Sequence, residues 1–489
     1  MVYRGKPGLG CALCRTRRLI CDRRRPSCTQ CLKINQECSG YRDPNTLRIC
    51  DQTGEITVKV EGRGTIARRQ RKSPSTEKSP SPASIRPPPT TIDDQVMSHI
   101  FTYYVGTTRV QGLLSYLPHL LSTNPSPALQ ATIKAAGLES MARINRLPEL
   151  KRAAGEQYGR ALVATNNALR DPVSATSDSA LGAVVLLGMY ELNACSSLMQ
   201  GWSQHVRGAT KLVELRGMEQ LDSAAGLELF TLVRLQNAIS SIFRRSQRYN
   251  SPKMTALTKL ARAKRDQDSQ PMETFYDILT QLHDLSVKVD EAAVADDDVE
   301  SLSSLISKAL HIDIDLRSWA MSLGPHWQYS VIDYTQSNPK TRLQIPLHGD
   351  TYHVYKAVGI VSMWNHYRQT RIIVHEMIRS MALRLWGLQG TSECRQIVFD
   401  SMDTIKQMTD DLCASVPYHF VSGEVTFTAV VRLLWPLFVA GDCAGSDPAT
   451  KDWIIQTLEL IGNLAGIQQA LSMAEMLRNG HTRNIIPGS

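Results

Sequence analysis

Six of the chain's eleven cysteines fall within its first 38 residues. Cys11, Cys14, Cys21, Cys28, Cys31 and Cys38 form two copies of Cys-x2-Cys-x6-Cys, laid end to end. Thiolate binds zinc strongly, and Zn2+ takes four ligands in a tetrahedron. Each copy supplies three. Two ions need eight ligand positions, and six sulfurs fill eight only where two of them bridge. The repeat therefore implies a binuclear cluster of two Zn2+, with one bridging sulfur from each half. Two Zn2+ and six thiolates leave a formal charge of about −2, which nearby cations would offset. An iron–sulfur centre asks for sets of four cysteines, which the three-cysteine unit does not supply. A disulfide framework fits poorly too. The N-terminal "MVYRGKPGLG" has no apolar h-region, so no secretory signal is expected. In a reducing compartment, clustered cysteines bind metal more often than they pair.

The cations are close by. Arg15, Arg17 and Arg18 lie in the first x6 segment, Arg23, Arg24 and Arg25 follow the third cysteine, and Lys33 follows the fifth. Residues 1–72 hold 17 Lys and Arg against 6 Asp and Glu, a net of +11; the other residues hold 38 against 40, a net of −2. One short cationic end on a near-neutral body is the electrostatic footprint of a nucleic-acid-binding head. Arginine pairs bidentately with guanine O6 and N7, while contacts to phosphate position a protein without specifying sequence. A further basic run, "ARRQRK", places Arg68, Arg69, Arg71 and Lys72 in a segment that reads as a nuclear localisation signal.

Three zones must position these groups. Residues 1–43 are the Cys- and Arg-rich module. Residues 44–93 read as a flexible basic and Pro/Ser-rich linker: "EITVKV" could form an isolated strand, and "SPSTEKSPSPASIRPPPTT" cannot build a core. From about Asp94 the texture turns helical. Leu150, Ala154, Tyr158, Leu162, Thr165 and Leu169 fall at spacings of three and four, which predicts one buried face. Asp178 is expected to cap "SALGAVVLLGMYEL", and Gly217 to stop "WSQHVRGATKLVELRG". Strand signals are sparse and no fixed-period repeat appears. Residues 94–489 therefore read as one all-α domain. Trp202, Trp364, Trp435 and Trp453 are expected in its core. Cys50, Cys195, Cys394, Cys413 and Cys443 are expected to be ordinary small or buried side chains. "ADDDVE" (Ala295–Glu300) reads as a solvated loop or helix start. The longest apolar run, "ALGAVVLLGMY", stops at Glu191, short of the roughly 18 residues that span a bilayer, so no membrane partner is expected.

The body offers no catalytic constellation. It has no Gly-x-Ser-x-Gly elbow, no phosphate-cradling Gly-rich loop and no His-Glu-x-x-His; the "HE" at His375–Glu376 has no further ligand at the needed spacing. No catalytic residue is assigned, and the chain is expected not to be an enzyme.

The cysteine pattern, with its flanks "CRTRRLICD" and "RPSCTQC", resembles the fungal-type zinc binuclear cluster (Zn2Cys6) DNA-binding domain. By that resemblance Cys11 and Cys28 are the bridging ligands, Pro26 sits in the loop joining the halves, and a CGG-like triplet is the target. The first x6 segment would fold as a short helix whose end enters the major groove. This makes Arg18, then Arg17, the expected base readers. Arg15, Arg23, Arg24, Arg25 and Lys33 are expected on phosphates. One departure is visible: the family carries Lys before the third cysteine, and this chain has Ile20. That removes a phosphate contact and leaves the metal site untouched. "HVRGATKLVELRG", "DLCASVPYHF", "LLWPLFVAG" and "LIGNLAGIQQALSMA" similarly resemble the fungal-specific transcription factor domain.

The resemblances imply a zinc module, a linker and a large all-α regulatory domain. The expected function is nuclear, sequence-specific regulation of RNA polymerase II genes. The expected partners are double-stranded DNA and the transcription machinery or coregulators. The rival is a regulatory scaffold or corepressor-binding protein whose zinc module is vestigial for DNA, and Ile20 is the feature that leans that way. Between Cys38 and Asp94 no apolar heptad pattern is sustained, so any homodimer is expected to form through the helical body.

Overall fold

The computed structural model describes residues 10–41, 90–107, 110–111, 114–123, 125–194, 199–244, 251–265, 270–293, 298–334, 345, 347–420 and 425–480. Most of the linker, with "EITVKV", Cys50 and the basic run Arg68–Lys72, lies outside the described residues, as do Cys195 and residues 295–297. Contacts divide the chain into two units, Met1–Pro87 and Pro88–Ser489.

The first unit holds two five-residue helices, α1 (Ala12–Thr16) and α2 (Thr29–Lys33). The second is a large, mostly helical body. It opens with α3 (Ile92–Ile100), whose start is closed by a capping box between Thr91 and Asp94. Then come α4 (Leu117–Thr123), α5 (Pro127–Asn145), α6 (Pro148–Arg170), α7 (Pro172–Ala175), α8 (Asp178–Ala194), α9 (Gln200–Arg216), α10 (Ala224–Arg244) and α11 (Pro252–Ala263). The later helices are α12 (Gln270–Ala293), α13 (Val299–Ser322), α14 (Val358–Gln389), α15 (Ser392–Ser415), α16 (Phe427–Val430), α17 (Leu434–Asp442), α18 (Pro448–Ala465) and α19 (Gln468–Asn479).

One local device starts four of these helices. Ser126, Asp171, Ser251 and Asp447 each precede a proline and accept from the N–H three residues on, at 3.1, 2.9, 3.1 and 2.9 Å. Proline at the first helical position loses nothing, because its missing N–H would be unpaired there anyway, and each cap contributes about 1 kcal/mol. At the other end Gly217 stops α9 at φ 68°, a left-handed conformation that glycine adopts without strain, as its position in the sequence predicts.

The core gathers around α8 and α14. Nearly every residue of α8 is buried, between α5 and α9. The 32-residue α14 is buried all round for its first two-thirds and packs on α13, α15 and α17. Trp202, Trp364 and Trp435 are core residues, with Trp453 half-buried at the edge of that core. Cys394, Cys413 and Cys443 are buried free thiols. Asp298 of the acidic run caps α13, its carboxylate accepting from Ser301 N–H at 2.8 Å.

Two local expectations need correcting. Asp178 does not cap α8. The Ser177 hydroxyl does, accepting from Ala180 N–H at 3.1 Å, while Asp178 is drawn into an ion pair with Arg216 at the end of α9. On α6, Leu162 and Leu169 are 39% and 36% exposed. The buried stripe runs instead through Ala154, Ala161 and Thr165, with Leu150 and Tyr158 beside it. At 100° per residue these five lie within about 80° of arc, and Leu162 and Leu169 fall beyond its edge. The body is helical as expected, and it also carries two short antiparallel strand pairs. Gly106–Thr107 (β1) pairs with Val110–Gln111 (β2), and Ser330–Asp333 (β3) pairs antiparallel with Thr351–Val354 (β4), with Val331 opposite His353. Strands of two to four residues are too short to leave an alternating pattern in the sequence.

Candidate metal centre and nucleic-acid interface

The cysteine repeat is also a repeat of backbone conformation, at an offset of 17 residues. Cys11 begins the first half and Cys28 the second. Each Cys-x2-Cys turns into a short helix that ends the same way: Leu19 N–H reaches back to Cys14 O at 2.9 Å, and Gln36 N–H to Cys31 O at 3.1 Å. The residue before each donor takes the left-handed conformation, Arg18 at φ 55° and Asn35 at φ 55°. A second left-handed pair follows each third cysteine, Arg23 at φ 57° and Gly40 at φ 76°.

The halves also close each other. Ala12 N–H at the start of α1 donates to Ser39 Oγ of the second half at 3.0 Å. Its counterpart Thr29 N–H, at the start of α2, donates to Asp22 Oδ1 of the first half at 3.1 Å. Short helices leave their first N–H groups unpaired, so each half depends on the other for its cap. Tyr41 ties the end of the second half to the first by donating its hydroxyl to Arg24 O. These caps are missed by a reading confined to the cysteines. The signal was present, since Asp22 and Ser39, like Ala12 and Thr29, stand 17 residues apart.

This framework draws all six sulfurs together. Cys11, Cys14, Cys21 and Cys28 form one set and Cys11, Cys28, Cys31 and Cys38 another, with all ligand atoms in each set within 4.8 Å of one another. Among the described residues these are the groups of His, Cys, Asp or Glu able to share an ion. Cys11 and Cys28 belong to both sets, with their Sγ atoms 3.8 Å apart. The donor set fits zinc: thiolates only, four to a set, two shared. Cys11, Cys14, Cys28 and Cys31 are buried.

The thiols are not equivalent. Burial, with hydrogen bonds from its thiol to Cys11 and Cys28, pushes Cys14 up to about 12. The third cysteine of each half goes the other way. Cys21 is lowered by backbone N–H groups of Cys11 and Arg23, and Cys38, lowered to about 6, by those of Cys28 and Gly40. Zinc binds thiolate, so loading this site displaces protons, chiefly from Cys14, Cys28 and Cys31, the raised thiols.

Arg17, Arg18, Arg23, Arg24, Arg25 and Lys33 are all exposed, free to meet an external polyanion. Arg24 is loosely tethered to Asp22 at 3.6 Å. The side chain of Arg15 lies outside the described residues. Ile20, where the resemblance expects Lys, is 93% exposed.

Comparison with known proteins agrees with this geometry. Residues 9–48 match the fungal Zn(2)-Cys(6) binuclear cluster domain, which holds two zinc ions. Residues 112–479 match the fungal specific transcription factor domain. The transcriptional regulatory protein moc3 of Schizosaccharomyces pombe (strain 972 / ATCC 24843) is 42% identical over 48 residues, a match that spans 10% of this chain and 9% of that protein. No solved structure matches. The helical body match covers most of the chain and the cluster match covers its cysteines, so the chain belongs to the fungal specific transcription factors with a zinc binuclear cluster domain.

Proposed function

We propose that this chain is a sequence-specific regulator of RNA polymerase II genes, acting in the nucleus and reading CGG-like triplets through its zinc module. The observation that carries this reading is the exposed Arg17–Arg18 pair at the end of α1, with Arg18 in the left-handed turn fixed by the Leu19–Cys14 bond. In this reading Cys11, Cys14, Cys21 and Cys28 hold one Zn2+, and Cys11, Cys28, Cys31 and Cys38 hold the other. The ions are structural: they fix the two halves so that α1 is presented end-on to a major groove. Arg18, with Arg17 beside it, meets a guanine edge. Arg15, Arg23, Arg24, Arg25 and Lys33 meet phosphates.

Base and phosphate contacts leave different signatures. Arg18→Ala should cost about 1–3 kcal/mol on the preferred site and relax selection at one base. Arg24→Ala should weaken binding to all sequences alike and flatten its salt dependence. Selection of bound sites from a random pool with each full-length variant checks both. An unchanged motif for Arg18→Ala would return the chain to a scaffold role with a module vestigial for DNA.

The basic run Arg68, Arg69, Arg71 and Lys72 is read as the import signal. Deleting it should reduce nuclear accumulation of the tagged full-length protein. Unchanged localisation would make it a solvated stretch of linker. Any homodimer is assigned to the helical body.

A further inference from the structure

Arginines shut inside the helical body have partners. Arg234 grips Glu273 through two 2.8 Å bonds, Arg371 holds Asp313 at 2.6 Å, Arg216 pairs with Asp178, and Arg368 donates to Tyr355 Oη at 2.8 Å and Asn365 Oδ1 at 2.9 Å. Arg432, between α16 and α17, is half-buried and lacks such a partner. No group among the described residues hydrogen-bonds or ion-pairs with it. Burial pulls its pKa down to about 10, with only Tyr276 close enough to oppose the shift. A half-buried guanidinium with no counter-charge keeps its donors for an incoming anion.

Arg432 lines a cavity of about 90 Å³ formed by α8, α9, α10, α14, α16, α17 and α19. The rest of the wall is apolar, with Trp202, Leu232, Phe427, Trp435 and Met473 prominent; the polar exceptions are Gln236 and His366. His366 is kept neutral, burial and then Arg432 lowering it to about 4. An apolar wall with a few convergent polar groups is the usual anatomy of a small-molecule site. Here the single charge is a guanidinium, whose planar fork matches a carboxylate.

We propose that this cavity binds a small organic acid, its carboxylate on Arg432 and its hydrocarbon body against the aromatic and aliphatic wall. The volume limits the body to about three to five carbons, since a dry cavity of about 150 Å³ accommodates benzene. A neutral compound of the same shape would leave Arg432 unpaired and bind more weakly. The helical body would thereby sense a small acid, a role that goes beyond DNA reading. Its test reads the body's own stability, so it stands or falls separately from that reading.

The probe is isobutyrate, with isobutyramide as the neutral isostere and sodium chloride at matched ionic strength. Thermal unfolding of the full-length protein should shift up saturably with isobutyrate, by about 2–4 °C near saturation. Isobutyramide and salt should give less than half of that shift. Arg432→Gln should abolish the isobutyrate response while leaving the unliganded melting temperature about level, because no described hydrogen bond or ion pair is lost. An equal response to the amide, no saturable response to isobutyrate, or a retained response in Arg432→Gln would each overturn the proposal. The acid-versus-amide comparison on the unmutated protein decides the matter if the variant fails to fold.

Discussion

Cys28→Ser should empty the module of both zinc ions rather than one. Cys28 Sγ belongs to both four-sulfur sets and lies 3.8 Å from Cys11 Sγ and 3.6 Å from Cys14 Sγ. Removing it leaves each ion with three ligands. Structural zinc in small domains contributes about 10–16 kcal/mol of apparent binding energy at neutral pH, and that energy is also the folding energy. Thirty-two described residues with two five-residue helices have no other core to fall back on. Cys38→Ser is the contrast. Cys38 belongs to one set only, so that variant should retain about one ion per chain. Elemental analysis of zinc against protein separates the two. A Cys28→Ser protein that keeps one zinc and still binds DNA would sink the shared-sulfur arrangement.

The largest effect expected in the helical body comes from its most deeply buried ion pair. Arg234 and Glu273 have side chains 3% and 2% exposed, and the guanidinium also stacks over Tyr276 at 4.0 Å from the ring centroid. Glu273→Gln keeps the shape and removes the counter-charge. Breaking one side of such a pair costs about 3–5 kcal/mol, because the remaining charge stays buried without compensation. The converse also holds. Arg234→Met with Glu273→Leu should recover most of that loss, since a well-packed apolar pair of similar volume needs no desolvation of charge. Urea unfolding midpoints of the two variants check this. A Glu273→Gln loss below about 1 kcal/mol would mean that water reaches the pair.

How far the sequence revealed this depends on whether a feature is local. The cysteine spacing made the two-zinc cluster legible, because ligand number and spacing are arithmetic on the chain itself. Helix ends such as Gly217 were legible for the same reason. Asp178 was misjudged because two capping side chains stand next to each other there, and the choice between them was made by Arg216, a residue 38 positions away. The α6 stripe was misjudged at its edge, where a 3.6-residue period cannot say how wide the neighbouring helix is. The Arg371–Asp313 bond spans 58 residues and the Arg143–Gln468 bond 325. Pairings at such distance leave no periodic trace. Arg432 likewise looked like any other arginine until the fold set it in the wall of a cavity.

The reciprocal caps set the size of the smallest transplantable unit. A graft cut to the cysteine motif, Cys11–Cys38, would carry every sulfur yet leave α1 without the Ser39 hydroxyl that closes it. It would also lack Tyr41, whose hydroxyl anchors the far end to Arg24 O. Neither half can be borrowed alone, because each carries the stopper for its twin. A chimera that swaps one half for that of a relative must therefore match the foreign residue after the third cysteine to the host's helix start. Position 22 is thus bound to the fate of position 29, and position 39 to that of position 12.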